Sequence, residues 1–148
     1  MAVTQRHLDA SADEVFAVLG DPTTYPQWLI GAQEIRNVTP DWPAVGSAFD
    51  HRVGWGPLQI PDRTSVRRIV PSRLLELQVR ARPLIEAVAT FTITDDAPGC
   101  VVAVDESPSG IFTCARPLLD PLIAVRNRRS LDRLATVVER AARRPATR

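Results

Sequence analysis

The sequence predicts an α+β domain in which a curved, seven-stranded antiparallel sheet is covered by one long C-terminal helix. Three observations predict this fold. Apolar and polar residues alternate over most of the middle of the chain, a helical pattern of apolar residues follows, and two short helical patterns lie near the N-terminus. The 148 residues suffice for one core. We therefore expect a single domain over residues 1–144 and a flexible tail over 145–148.

Residues that typically begin or end strands and helices predict the N-terminal elements. A short first strand stops at Asp9, after which Ser11 is a suitable N-cap and Glu14 completes a capping box. Gly, Asp and Pro at 20–22 end this first helix and begin a second one, which reaches Trp28. Two short helices are therefore expected after strand one.

Six further strands are predicted from segments of period two that are separated by Pro, Gly and Asp. No helical pattern lies between them, so consecutive strands are expected to pair as antiparallel neighbours, with clear turns at 95–99 and 70–73. The segments cover residues 34–39, 47–54, 62–70, 73–80, 84–94 and 100–106.

The final helix is the one element long enough to cover the concave face of this sheet. Its expected apolar stripe consists of Leu119, Leu122, Ile123, Leu131, Leu134 and Val138. The inward positions of the sixth strand are partly small, namely Ala87, Ala89, Phe91 and Ile93. A sheet curled around one helix with small facing residues leaves space, so the sequence predicts an internal cavity.

Composition excludes several kinds of chemistry. The chain contains no lysine, so Schiff-base and P-loop mechanisms are excluded. Two histidines and two cysteines without metal-ligand spacing predict no metal site, and no cofactor motif is found. The eight arginines in 126–148 are interpreted as a solvated helix face, because no aromatic residues interleave to stack on nucleic-acid bases. The absence of a long apolar run predicts no membrane span and a cytoplasmic protein.

Several segments along the chain resemble those of a known family. Residues 11–22 and the Tyr-Pro-Gln-Trp sequence at 25–28 resemble the opening of the polyketide cyclase/dehydrase-like branch of the START-like (SRPBCC) superfamily. Val-Gly at 45–46, Gly-Pro-Leu at 56–58, Val-Pro at 70–71 and the entry to the last helix at 117–122 are similar too. The resemblance covers nearly the whole chain. It implies the helix-grip fold and relatives that include hydrophobic-ligand carriers and aromatase/cyclases.

His51 is the leading candidate for chemistry. It shares the inward face of the third strand with Phe49 and Val53, where a histidine could act as general acid or base or simply complete the wall through a hydrogen bond. Arg68 alternates in step with Thr64 and Val66, so it could point inward and anchor a carboxylate or enolate. An outward orientation is also open. Trp55, at a hairpin tip, could form a lid.

Other polar residues are expected to have structural roles. Glu106 lies beside Ser107 at a strand end, so we expect it to face solvent or to cap a helix. His7 is expected to have no functional role.

We therefore predict that the chain binds a small hydrophobic molecule, lipid-like or polyketide-like, as a monomer or homodimer. The alternative is a cyclase, dehydratase or aromatase-like enzyme that uses the same cavity. The predicted binding residues are Trp28, Phe49, His51, Val53, Trp55, Arg68, Leu77, Val79, Ala87, Ala89, Phe91, Val104, Ile123, Asn127 and Leu131.

Overall fold

The predicted α+β architecture is confirmed, with all seven strands in one antiparallel sheet. The computed structural model describes residues 2–55, 57–81, 85–109 and 114–144. The sheet has the order β1-β7-β6-β5-β4-β3-β2, so the first strand closes onto the last. The elements are β1 Ala2–Leu8, α1 Ala12–Leu19, α2 Tyr25–Trp28, β2 Ala32–Arg36, β3 Ala48–Trp55, β4 Leu58–Val70, β5 Leu74–Ala81, β6 Ile85–Asp96, β7 Gly99–Ser109 and α3 Arg116–Arg143.

The two short helices close one end of the concave face. Ser11 caps α1 as predicted, because its side-chain oxygen accepts a hydrogen bond from the backbone N–H of Glu14 at 3.2 Å. Asp21 likewise caps a 3-10 turn over Pro22–Thr24 that leads into α2. Tyr25 and Trp28 of α2 are buried, and their rings meet edge to face at 5.0 Å.

The inward parity of the sheet is the one expected from alternation. On β6 the side chains of Ala87, Ala89, Phe91 and Ile93 are buried, and β7 continues this layer with Cys100, Val102 and Val104. A bulge interrupts β4, where the pairing with β5 shifts between Val66 and Arg68. An extra residue in one strand reverses the faces beyond it, so the inward parity of β4 ends at Val66.

The two halves of helix α3 differ in how far their apolar side chains are buried. Its second half buries Leu131, Leu134 and Val138, and it packs against β1 and the two short helices. The first three turns expose Leu118, Leu122 and Val125 instead. The prediction that Leu122 lies on the buried stripe is therefore wrong, because at about 100° per residue it points away from Leu134. In the described part of the chain, no helix is long and apolar enough to cross a membrane.

A matched pair of leucines on α3 tests this seating. Leu134 has no exposed surface, whereas Leu122 is 69% exposed. We expect Leu134→Ala to lower the free energy of unfolding by about 2–5 kcal/mol, because it leaves a cavity in the core. The control Leu122→Ala should change it by no more than about 0.5 kcal/mol. Urea denaturation monitored by circular dichroism measures both, and equal effects would contradict the described seating of α3.

Candidate functional site

A cavity of about 540 Å³, open to solvent where Leu58 is 82% exposed, lies between the concave face of the sheet and the middle of α3. This volume is within the range of small-molecule binding sites. Most of the wall is apolar. Its residues come from α2 and the loop after it, from strands β2 to β7 with Pro57 between β3 and β4, and from α3: Tyr25, Trp28, Leu29, Ile30, Gly31, Ala32, His51, Pro57, Leu58, Gln59, Ile60, Asp62, Thr64, Leu77, Val79, Ala87, Ala89, Phe91, Val104, Glu106, Arg126, Asn127, Ser130 and Leu131.

Most of the predicted binding residues lie in this wall. They share the inward parity of their strands or the sheet-facing side of α2 and α3. The structure places Trp28, His51, Leu77, Val79, Ala87, Ala89, Phe91, Val104, Asn127 and Leu131 there. The side chains of Val53 and Trp55 are outside the described residues, so the lid stays a prediction.

Three predicted residues lie elsewhere. Arg68 does not line the cavity, which corrects its inclusion among the predicted binding residues. The β4 bulge turns its side chain outward, where it is 65% exposed and 3.8 Å from Glu76. Phe49 is fully buried, but it lies behind the wall, in an edge-to-face cluster with Tyr25 at 5.4 Å and Trp42 at 4.9 Å. Ile123 is half-buried on α3 outside the wall.

His51 belongs to a buried polar group on the sheet side of the cavity. The residue is 5% exposed, and its Nε2 lies 3.0 Å from the Thr64 hydroxyl, with which it forms a hydrogen bond. The same nitrogen is 3.3 Å from Oδ2 of Asp62, its cross-strand partner. The other carboxylate oxygen of Asp62 accepts a hydrogen bond from the backbone N–H of Arg80 at 3.2 Å.

Two atoms of this polar group lack a hydrogen-bond partner in the protein, namely His51 Nδ1 and Asp62 Oδ2. Unsatisfied buried polar atoms cost free energy, so they are unusual outside functional sites. Asp62 was not among the predicted residues. The antiparallel pairing of β3 with β4 places it opposite His51.

Glu106 lies on the same wall, which corrects the expectation that it faces solvent. It is 8% exposed because β7 continues to Ser109 and keeps Glu106 on the inward face with Val104. Both of its oxygens accept hydrogen bonds from Nη2 of Arg126 on α3, at 3.1 and 2.9 Å. A charge-assisted pair therefore joins the sheet to the helix across one side of the cavity.

The helix side of the wall adds two uncharged polar residues. Ser130 is buried, and its hydroxyl oxygen accepts a hydrogen bond from the backbone N–H of Ile30 at 3.1 Å. Asn127 is 2% exposed, and its Nδ2 has no hydrogen-bond partner in the protein. The amide therefore carries a buried donor that a bound molecule could satisfy.

Tyr25 completes the polar part of the wall without an acid–base role. Its hydroxyl donates a hydrogen bond to the backbone carbonyl of Leu19 at 2.6 Å. Burial, with a smaller contribution from Asp21, raises the pKa of the phenol well above its ordinary value. The phenol therefore stays protonated at neutral pH.

Other chemistry is not assembled among the described residues. No group of three or more His, Cys, Asp or Glu there is close enough to hold a metal ion. His7 is exposed and distant from the cavity, with its Nε2 3.0 Å from the Asp96 carbonyl.

Solved structures show the same fold. A protein from Chromobacterium violaceum matches with a TM-score of 0.72 and 18% identity, over 93% of this chain and 95% of that one. A Rhodobacter sphaeroides protein matches with a TM-score of 0.73 and 17% identity, over 96% and 92%. The di-domain ARO/CYC StfQ from the steffimycin biosynthetic pathway matches with 0.74 and 14% identity, over 95% of this chain and 50% of StfQ.

The family is shown by a match of the sequence itself. No curated protein matches the chain significantly. The family model described as "Polyketide cyclase / dehydrase and lipid transport" matches residues 2–139, which is nearly the whole chain and includes the segments that carry the resemblance. The chain is therefore a member of the polyketide cyclase/dehydrase and lipid transport family.

Proposed function

We propose that this protein binds one small hydrophobic molecule, lipid-like or polyketide-like, in the internal cavity. The observation that carries the proposal is the cavity itself, about 540 Å³ with mostly apolar walls. Protein cores pack closely and leave few voids larger than a water molecule. A mostly apolar cavity of this size, reachable from solvent beside Leu58, supports a ligand that occupies it.

The small residues of β6 support the same proposal. Ala87 and Ala89 sit where the sheet faces the middle of α3, with Leu77 and Val79 of β5 directly across the strand pairing. Larger side chains at these two alanines would fill the space. Burial of an apolar ligand against this wall would contribute about 25 cal/mol for each Å² of apolar surface that it removes from water.

A second candidate function is favoured by the group of His51, Asp62 and Thr64. A buried histidine beside a carboxylate is an arrangement that can transfer protons to and from a bound substrate. The protein would then act as a cyclase, dehydratase or aromatase-like enzyme on a polyketide-type molecule. The comparison with StfQ, an ARO/CYC protein by its description, is consistent with this alternative.

Cavity filling tests the binding proposal. The neutral solvatochromic dye Nile red should bind the native protein with a stoichiometry of about 1:1. Ala89→Leu places a larger side chain in the cavity and should weaken dye binding by at least about tenfold. The matched control Ala103→Leu lies on β7 between inward-facing Val102 and Val104, so it faces the outer side of the sheet.

Ala103→Leu should change the dye affinity by less than about twofold. Fluorescence titration measures the affinities, and thermal denaturation shows that both variants fold. Non-saturable dye binding, or equal weakening by the two substitutions, would overturn the proposal that the cavity is the binding site.

His51→Gln separates carrier from enzyme. Glutamine keeps approximate bulk and a hydrogen-bonding group, so a wall residue should lose less than about tenfold in ligand affinity. We expect no turnover of a polyketide-like molecule that co-purifies with the protein, in either the native protein or the variant. His7→Gln is the matched control on the surface.

A large loss of turnover in His51→Gln would instead support the enzyme alternative. A general base contributes about 10²–10⁴-fold in rate. If the native protein turns the molecule over, and His51→Gln lowers that rate by about a hundredfold or more with binding intact, the enzyme alternative replaces the carrier.

A further inference from the structure

Some polar atoms of the cavity wall have hydrogen-bond partners in the protein and others do not. Nδ2 of Asn127 and Nε of Arg126 are buried and have no hydrogen-bond partner in the protein. Both atoms are donors. They lie on neighbouring residues of α3 that line the same cavity. The helix side of the wall therefore contains two hydrogen-bond donors that the protein itself does not use.

The positive charge of the wall, in contrast, is already neutralised. Among the described residues, Arg126 is the one arginine that lines the cavity, and the chain has no lysine. Both oxygens of Glu106 accept from its guanidinium. Any positive charge on His51 is likewise within 3.3 Å of the Asp62 carboxylate. No described cation of the wall is left without an anionic partner.

A carboxylate ligand would therefore enter without a counter-charge. It would add a negative charge beside Glu106 and Asp62, and the burial of an unpaired ion is strongly unfavourable. A neutral carbonyl oxygen meets no such penalty, since it needs only the donors that Asn127 and Arg126 leave free.

We propose that the cavity selects neutral, oxygen-bearing apolar molecules over carboxylates, with Asn127 Nδ2 donating a hydrogen bond to the ligand oxygen and Glu106 cancelling the charge of Arg126. This inference rests on the proposed binding function and names the chemical class of its ligand. It assigns two specificity-determining residues. Asn127 recognises the oxygen, and Glu106 sets the charge that the cavity accepts.

Three naphthalenes that carry a small substituent at position 2 test the proposal by displacement of Nile red. They are 2-acetylnaphthalene, which is a neutral ketone, 2-naphthoate, in which an ionised oxygen replaces the methyl group, and 2-ethylnaphthalene, which has no oxygen. At pH 7 the ketone should bind at least about tenfold more tightly than the carboxylate. It should bind about three- to tenfold more tightly than the hydrocarbon.

Asn127→Leu tests the hydrogen bond, because leucine has the same number of side-chain heavy atoms and no donor. The variant should lose the preference for the ketone, so that it binds the ketone and 2-ethylnaphthalene with affinities within about twofold of each other. Retained Nile red binding also shows that the variant is folded.

Glu106→Gln tests the charge independently. With Glu106 neutral, Arg126 becomes an unpaired cation of the wall, so the affinity for 2-naphthoate should rise by at least about tenfold. The affinity for the ketone should change little. The control Glu86→Gln removes one side of an exposed pair with Arg80, 3.5 Å apart on the surface, and should leave all three affinities unchanged.

The possible failures are distinguishable. If Nile red does not bind the native protein, the proposed function fails. If Nile red binds, but the carboxylate binds the native protein as tightly as the ketone, the selectivity proposal is overturned. A Glu106→Gln variant that binds Nile red without gaining carboxylate affinity overturns the role of Glu106, and an Asn127→Leu variant that keeps the ketone preference overturns that of Asn127.

Discussion

The packing of the second half of α3 against β1 and the two short helices is the contact on which the rest of the structure depends. Leu131, Leu134 and Val138 are almost completely buried there. Their burial holds the helix across the concave face of the sheet, and a hydrogen bond from the backbone N–H of Ile30 to the Ser130 hydroxyl joins it to the loop after α2. The middle of the helix is then suspended opposite Ala87 and Ala89, whose small side chains do not reach it. The cavity is a consequence of this geometry. The end of α3 is held firmly, while its middle faces side chains of β6 that are too small to fill the gap.

The fold could be predicted because alternation and helical periodicity are local properties that tertiary packing preserved. The candidate site was less accessible to such reasoning. For Arg68 the sequence left an inward and an outward orientation open, and the outward one results from a bulge that reverses the faces of β4 and leaves no distinct mark in the sequence. Glu106 was misplaced because its partner Arg126 is distant in sequence and its strand runs further than the period suggested. Asp62 was missed because its role depends on pairing with His51, which the hairpin register determines. Where a residue's position in the cavity wall depended only on its own parity, as for Ala89 or Val104, the sequence sufficed.

The polar groups of the wall divide into those that stabilise and those that remain available. Glu106 with Arg126 joins β7 to α3, and the hydrogen bond of Tyr25 to Leu19 holds α2 in place. Nδ1 of His51 and Nδ2 of Asn127 have no hydrogen-bond partner in the protein, while Oδ2 of Asp62 lies 3.3 Å from Nε2 of His51. A carrier needs only some of them to orient its ligand, whereas an enzyme needs His51 and Asp62 to move a proton. The same cavity is compatible with both activities, as the description of the family, which joins cyclases to lipid transport, also indicates.

The central claim is that the ligand lies inside the cavity and not on the exposed apolar face of α3. Methyl NMR during titration with 2-acetylnaphthalene tests this most directly, since leucine and valine methyl groups occur in both places. We expect saturable shifts at Leu77, Val79, Val104 and Leu131, which line the cavity, and none at Leu118, Leu122 and Val125, which are exposed on α3. Shifts confined to the exposed set, with the cavity methyl groups unchanged, would contradict the account.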